Sequence, residues 1–120
     1  MTDNAGADGG RNMPGAIREI APSEVKAMLE RGDSCVYLDV REPNEYNLGH
    51  LPGAVHVPRA LLESRIESAV PRDAQIVVYC SAGVRSASAA AALEAMGYGD
   101  VCSMAGGLRE YVPIGGPIEG

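Results

Sequence analysis

Two continuous apolar runs, Cys35-Val36-Tyr37-Leu38 and Ile76-Val77-Val78-Tyr79, stand out along the chain, and each runs into a reactive side chain: Asp39 after the first, Cys80 after the second. Runs rich in Val and Ile, without polar alternation, suit strands covered on both faces. Val55-His56-Val57 and Val101-Cys102-Ser103-Met104 predict two shorter strands, and Ile17 with Ile20 a short first one. Helical spacing fills the intervals. Pro22 opens a helix with Val25, Met28 and Leu29 at i, i+3, i+4, and Gly32 ends it. Leu62, Ile66 and Val70 share one helical face, and a further helix is expected from Ser86 to Met96. Strands alternating with helices make an α/β domain with a mostly parallel sheet. No internal repeat is visible, and Pro113 to Gly120, with Gly115, Gly116 and Pro117, is expected to be irregular.

Length and composition narrow this. Met1 to Gly15 is rich in Gly, Asp and Asn without any period, and is expected to be a disordered tail. That leaves residues 16–120 as one domain, long enough to bury roughly two-thirds of its unfolded surface without disulfide staples. The three cysteines, Cys35, Cys80 and Cys102, have no C-x-x-C spacing. They suggest neither a zinc framework nor a disulfide set, but a reducing compartment. No apolar run resembles a signal peptide or reaches the ~20 residues of a membrane span, so the cytoplasm is the expected location. Sixteen acidic and ten basic side chains give a formal charge of −6. That argues against a phosphate-backbone binder, which would need a basic face, so no nucleic-acid partner is expected. Any anion site must be built locally, from backbone N–H groups and a helix end.

Ligands of open α/β sheets sit outside the carboxyl ends of the strands. There, strand Ile76–Tyr79 leads into Cys80-Ser81-Ala82-Gly83-Val84-Arg85, and a helix follows from Ser86. The helix N-terminus aims unpaired N–H groups and its positive dipole end back at the loop. That arrangement binds anions and favours a thiolate, whose pKa falls from ~8.5 to roughly 3.5–7.5 at such places. Gly83 at positive φ lets a short loop curl so that its N–H groups converge. Arg85 is the loop's one fixed cation. Ser86 is the expected N-cap of a helix whose alanines allow close packing on the sheet. The plain alternative is that Cys80 is an inert buried cysteine, and for Cys35 and Cys102, which lack basic neighbours, that is the expectation.

These residues resemble the rhodanese homology domain over roughly Ile17 to Glu119. Leu38-Asp39-Val40-Arg41-Glu42-Pro43-x-Glu45-Tyr46 is similar to the family's first motif, and Gly49-His50-Leu51-Pro52-Gly53-Ala54 to its second. Val78-Tyr79-Cys80 through Arg85-Ser86 resembles the active-site loop. Ala105-Gly106-Gly107 with Tyr111 resembles the closing Gly-Gly-x-x-x-Trp, with Tyr replacing Trp. The resemblance implies a five-stranded, mainly parallel sheet with helices on both faces. It implies a sulfurtransferase whose Cys80 takes the sulfane sulfur of thiosulfate or a persulfide donor, then passes it to a thiophilic acceptor. That acceptor would be cyanide in vitro, and a thiol or sulfur-carrier protein in the cell. A cysteine desulfurase-type protein is a further candidate donor. No metal or organic cofactor is implied. Ser81, Ala82, Gly83, Val84, Arg85 and Ser86 would hold the persulfide.

Loop length separates branches of the superfamily. Related phosphatases and arsenate reductases use Cys-x5-Arg, one residue longer than Cys80-x4-Arg85, so a phosphoryl group should be crowded here. A non-enzymatic interaction module is the other alternative, one that commonly lacks the cysteine. Ser81 and Val84 stand where dedicated thiosulfate enzymes often carry basic residues, which favours a persulfide donor. The stretch from Pro58-Arg59 through Leu62-Glu63-x-Arg65-Ile66-Glu67 also resembles rhodanese domains attached to adenylyltransferases.

The remaining site residues are expected to organise the loop. Asp39 and Arg41 follow a strand end and are expected to pair structurally. Asp39 is also a candidate carboxylate for the Arg85 guanidinium, and Glu45 is a second. His50 precedes Leu51-Pro52-Gly53, a tight turn by composition, and is expected to make a structural hydrogen bond. His56 lies in a strand without metal-ligand spacing. Gly106 and Gly107 lack the Lys of a phosphate-binding P-loop and are expected to form a turn near the site entrance.

Overall fold

The computed structural model describes residues 17–120, so the expected tail, Met1 to Gly15, lies outside the described residues. Five strands, β1 (Glu19–Ile20), β2 (Val36–Asp39), β3 (Val55–His56), β4 (Ile76–Tyr79) and β5 (Val101–Met104), form one sheet in the order β1-β5-β4-β2-β3. Every pairing within it is parallel. The central strand, β4, is buried along its whole length, as its unbroken apolar sequence requires.

The predicted helices are present as α1 (Pro22–Arg31), α3 (Leu62–Ala69) and α4 (Val84–Ala95). Two short helices, α2 (Pro43–Asn47) and α5 (Gly107–Tyr111), were not legible, because five residues are too few to show a helical period. The tail expected to be irregular carries a 3-10 turn at Val112–Ile114 and an antiparallel bridge between His50 and Glu119.

Period-2 alternation along β4 divides the core. Ile76, Val78 and Cys80 point to the face covered by α3 and α4, meeting Leu62, Ile66, Ala89, Ala90 and Leu93. Val77 and Tyr79 point to the opposite face, with Val25 and Met28 of α1 and Leu108 and Tyr111 of α5. The small Ala89 and Ala90 side chains are fully buried, so α4 lies close on the sheet.

Register sets the two chemical strand ends beside each other. Asp39 pairs with Tyr79, and the Val40 N–H donates to the Tyr79 carbonyl at 3.2 Å. Asp39-Val40-Arg41 therefore runs alongside Tyr79-Cys80. Among the described residues no helix is long and apolar enough to cross a membrane.

Candidate active site

Cys80 follows the last residue of the central strand, and its thiol lies over the N-terminus of α4. The helix begins two residues earlier than its composition suggests. Gly83, at φ 96°, is the N-cap, and Val84 is the first helical residue. Ser86 is thus not the cap; as third helical residue, its hydroxyl donates to the Gly83 carbonyl at 3.2 Å.

This shift brings the N–H groups onto sulfur. The Gly83 N–H donates to Cys80 Sγ at 3.1 Å and the Ser86 N–H at 3.4 Å, and Ser86 Oγ lies 3.5 Å from Sγ. Burial pushes the thiol pKa up, yet hydrogen bonds from the Ser86 hydroxyl and from the Ser86, Ala82 and Gly83 N–H groups outweigh it, and the net shift is downward. The other cysteines move the opposite way. Burial pushes Cys35 up to about 11 and also raises Cys102. Of the three, only Cys80 is shifted toward the thiolate.

The loop rests on α5. Leu108 N–H donates to the Cys80 carbonyl and Arg109 N–H to the Ser81 carbonyl, both at 2.9 Å. Gly107 makes this approach possible: a Cβ there would stand 2.5 Å from Cys80 O and 2.6 Å from Ser81 O. Gly106 lies in a turn with Ala105, whereas Gly107 is the first residue of α5 and backs the loop as a floor. Tyr111, fully buried on the same helix, donates its hydroxyl hydrogen to the Pro117 carbonyl at 2.8 Å and anchors the tail.

The expected ion pairs divide in a definite way. Asp39 does not reach Arg85. Its buried carboxylate accepts from the Arg41 N–H at 2.9 Å, from Nη2 at 2.7 Å and from Nε at 3.1 Å. Only Val40 separates the partners, and both are buried, so the pair closes on itself. Arg41 Nη2 also donates to the Gly49 carbonyl at 2.6 Å.

Glu45, on α2, takes Arg85 instead. Nη1 donates to Oε1 at 2.7 Å and Nη2 to Oε2 at 3.1 Å, a two-pronged contact. The Ser81 hydroxyl joins it, donating to Glu45 Oε2 at 3.2 Å and accepting from Arg85 Nη2 at 3.2 Å. The Arg85 hydrogen bonds hold the Glu45 carboxyl at about 2, against a smaller upward push from burial. Val84, in contrast, is 77 % exposed at the crest of the loop.

His50 and His56 flank Tyr46, with ring centroids 3.9 Å and 4.4 Å from the phenol ring. His50 Nδ1 lies 3.1 Å from the Tyr46 carbonyl, and His56 Nε2 lies 2.8 Å from the Arg41 carbonyl. Both are hydrogen-bonded into the loops that carry Arg41 and Glu45. Among the described residues no three His, Cys, Asp or Glu side chains gather as a metal site would need.

One residue of the site escaped the sequence reading. Ser103, fully buried on β5, has its Oγ 2.8 Å from Ser86 Oγ. A polar residue inside the apolar run Val101–Met104 was the available signal, since a buried hydroxyl needs a partner.

The family model for the rhodanese-like domain matches residues 21–113, from the start of α1 through α5 and into the turn after it. The chain belongs to the rhodanese-like family. A sulfurtransferase of Allochromatium vinosum is 33% identical over 102 residues, covering 85% of this chain and 94% of that protein. A probable adenylyltransferase/sulfurtransferase of Mycobacterium tuberculosis, MoeZ, is 38% identical over 90 residues, or 74% of this chain, which spans only 23% of that longer protein. In solved structures, the rhodanese-like domain of the Anabaena Alr3790 protein superposes with a TM-score of 0.81 at 32% identity, covering 88% of this chain and 80% of that one. The rhodanese-like fold expected from the four motifs is thus the fold found.

Proposed function

We propose that this chain is a sulfurtransferase that carries sulfur as a persulfide on Cys80. The observation that supports this most directly is the set of N–H donors on Cys80 Sγ, from Gly83 at 3.1 Å and Ser86 at 3.4 Å. Backbone N–H groups fixed in this way stabilise the attacking thiolate on Sγ without reorganisation. The rhodanese-like relatives that carry the name sulfurtransferase agree with this reading.

In the first half-reaction the Cys80 thiolate, its proton already lost to solvent, attacks the sulfane sulfur of the donor. A sulfur–sulfur bond forms to Cys80, and the donor's own bond to that sulfur breaks. The electron pair leaves with sulfite, if the donor is thiosulfate, or with a thiolate, if it is a persulfide. In the second half-reaction a thiophilic acceptor attacks the terminal sulfur, and Cys80 leaves as thiolate. Cyanide would become thiocyanate in vitro; a thiol or a sulfur-carrier protein would take the sulfur in the cytoplasm, with a cysteine desulfurase-type protein as a further donor. Neither half needs a metal, an organic cofactor or an external oxidant. Four residues between Cys80 and Arg85 suit a sulfur atom better than a tetrahedral phosphoryl group.

Mass spectrometry tests the proposal. After incubation with thiosulfate or an organic persulfide, the Cys80 peptide should gain one sulfur, cyanide should release it as thiocyanate, and Cys80→Ser should abolish both. Sulfur found on Cys35 or Cys102 instead, or on no cysteine with any donor, would overturn it.

A further inference from the structure

Arg85 is the one cation of the Cys80–Ser86 loop, and its charge is already matched. Both of its outer nitrogens lie on the Glu45 carboxylate, at 2.7 Å and 3.1 Å, and Ser81 Oγ bridges the pair. Glu45 and Arg85 side chains are only 29% and 36% exposed, so the contact is partly shielded from water. Glu45 is further held by the Glu42 N–H, which donates to Oε1 at 2.9 Å. The rim beside Cys80 therefore carries an ion pair of zero net charge where a free guanidinium would give +1.

The rest of the site offers little to a highly charged anion. The thiolate itself is negative, and the chain carries −6 overall. The favourable groups are the loop N–H donors, and these face Cys80 Sγ. They suit the reacting sulfur rather than a sulfonate further out. Val84, exposed on the crest, adds only apolar surface.

We propose that Glu45 is a specificity-determining residue: by pairing with Arg85 it makes the site prefer sulfane donors of low charge, such as organic persulfides or thiosulfonates, over dianionic thiosulfate. This rests on the sulfurtransferase reading above. It locates the preference in a carboxylate on α2, outside the loop itself.

Thiosulfate and methanethiosulfonate form the test pair. Each delivers one sulfane sulfur to the Cys80 thiolate; the bond to the sulfonyl sulfur breaks, and sulfite or methanesulfinate leaves with the electron pair. The donors differ by one negative charge. Glu45→Gln frees the Arg85 charge while keeping a hydrogen-bonding amide in place. The released charge acts on the dianion with twice the energy it exerts on the monoanion, so kcat/KM is expected to rise roughly tenfold for thiosulfate against roughly threefold for methanethiosulfonate. The gain should lie mainly in KM and fade with added salt. Adding Arg85→Gln should return the donor ratio to that of the parent.

Ionic strength gives a second measurement without a variant. In the parent protein, kcat/KM for thiosulfate should rise with salt, as like charges are screened. Persulfide on Cys80 from both donors, with an unchanged donor ratio in Glu45→Gln or a thiosulfate rate that falls with salt in the parent, would overturn the role of Glu45 and leave the sulfurtransferase reading standing. No persulfide on Cys80 from either donor would remove both.

Discussion

Ser103 Oγ on β5 lies 2.8 Å from Ser86 Oγ on α4, and Ser86 Oγ lies 3.5 Å from Cys80 Sγ. Ser103 is fully buried, and Ser86 is its side-chain partner among the described residues. Either hydroxyl can donate in this contact; with the Ser86 hydrogen on the Gly83 carbonyl, the donor to Ser86 is Ser103. That leaves the Ser86 hydrogen for the Gly83 carbonyl or, once Cys80 ionises, for the thiolate. Donors in series polarise one another, so Ser103 is expected to influence Cys80 through Ser86.

Ser103→Ala is therefore expected to raise the apparent Cys80 pKa by about 0.3, roughly a twofold loss of thiolate below it, from a 10–30% weakening of a charge-assisted hydrogen bond. The pH profile of iodoacetamide alkylation measures this. Ser103→Thr should restore the parent profile. In a Ser86→Ala background the Ser103→Ala shift should vanish; a shift of the same size there would mean that Ser103 acts by another route.

The floor of the loop admits no side chain. Gly107 has φ 61°, and a Cβ would meet the backbone of Cys80 and Ser81 at 2.5–2.6 Å. Gly107→Ala is expected to cost at least about 2 kcal/mol and to displace the loop from its N–H donors. Urea unfolding should show the loss and the alkylation profile a raised Cys80 pKa. Unchanged values for both would mean that α5 does not define the loop.

The two arginine–carboxylate pairs should behave differently. Asp39 is fully buried with Arg41, so Asp39→Ala leaves a buried guanidinium without its partner and is expected to cost about 3–5 kcal/mol. Glu45→Ala breaks a partly solvated pair and is expected to cost about 1 kcal/mol. Denaturation midpoints of the two variants check the order, and the reverse order would contradict the burial seen here.

Acid exposes the Glu45 pair. Its folded-state carboxyl, held at about 2, lies below the ~4.3 of an unfolded glutamate, so the unfolded chain binds the proton first. The stabilisation from this pair is complete above about pH 5 and is lost as pH falls toward 2. The stability difference between the parent and Glu45→Gln should be constant above about pH 5 and should shrink below it. Urea midpoints between about pH 2 and 7 measure it, and a difference independent of pH across that range would argue against an ionised pair.

Much of this protein was determined by sequence alone, because the information was local. Unbroken Val- and Ile-rich runs specify buried strands, and β4 begins and ends where its apolar run does. Pro22 and Gly32 bracket α1 as expected. The order of strand, glycine-bearing loop and helix already put Cys80 before a helix N-terminus, since that follows from chain connectivity. Tertiary structure decided the rest. Whether Arg85 meets Asp39 or Glu45 depends on side-chain reach across separate elements; Asp39 closes on Arg41, two residues away, and leaves α2 to supply the partner. Gly83 rather than Ser86 caps α4, because the left-handed turn that sets the N–H groups on sulfur also starts the helix. Ser103 and the floor formed by Gly107 and Leu108 come to Cys80 only when β5 lies beside β4 and α5 closes behind the loop. These are contacts between distant parts of the chain, and no local pattern of residues encodes which distant group arrives.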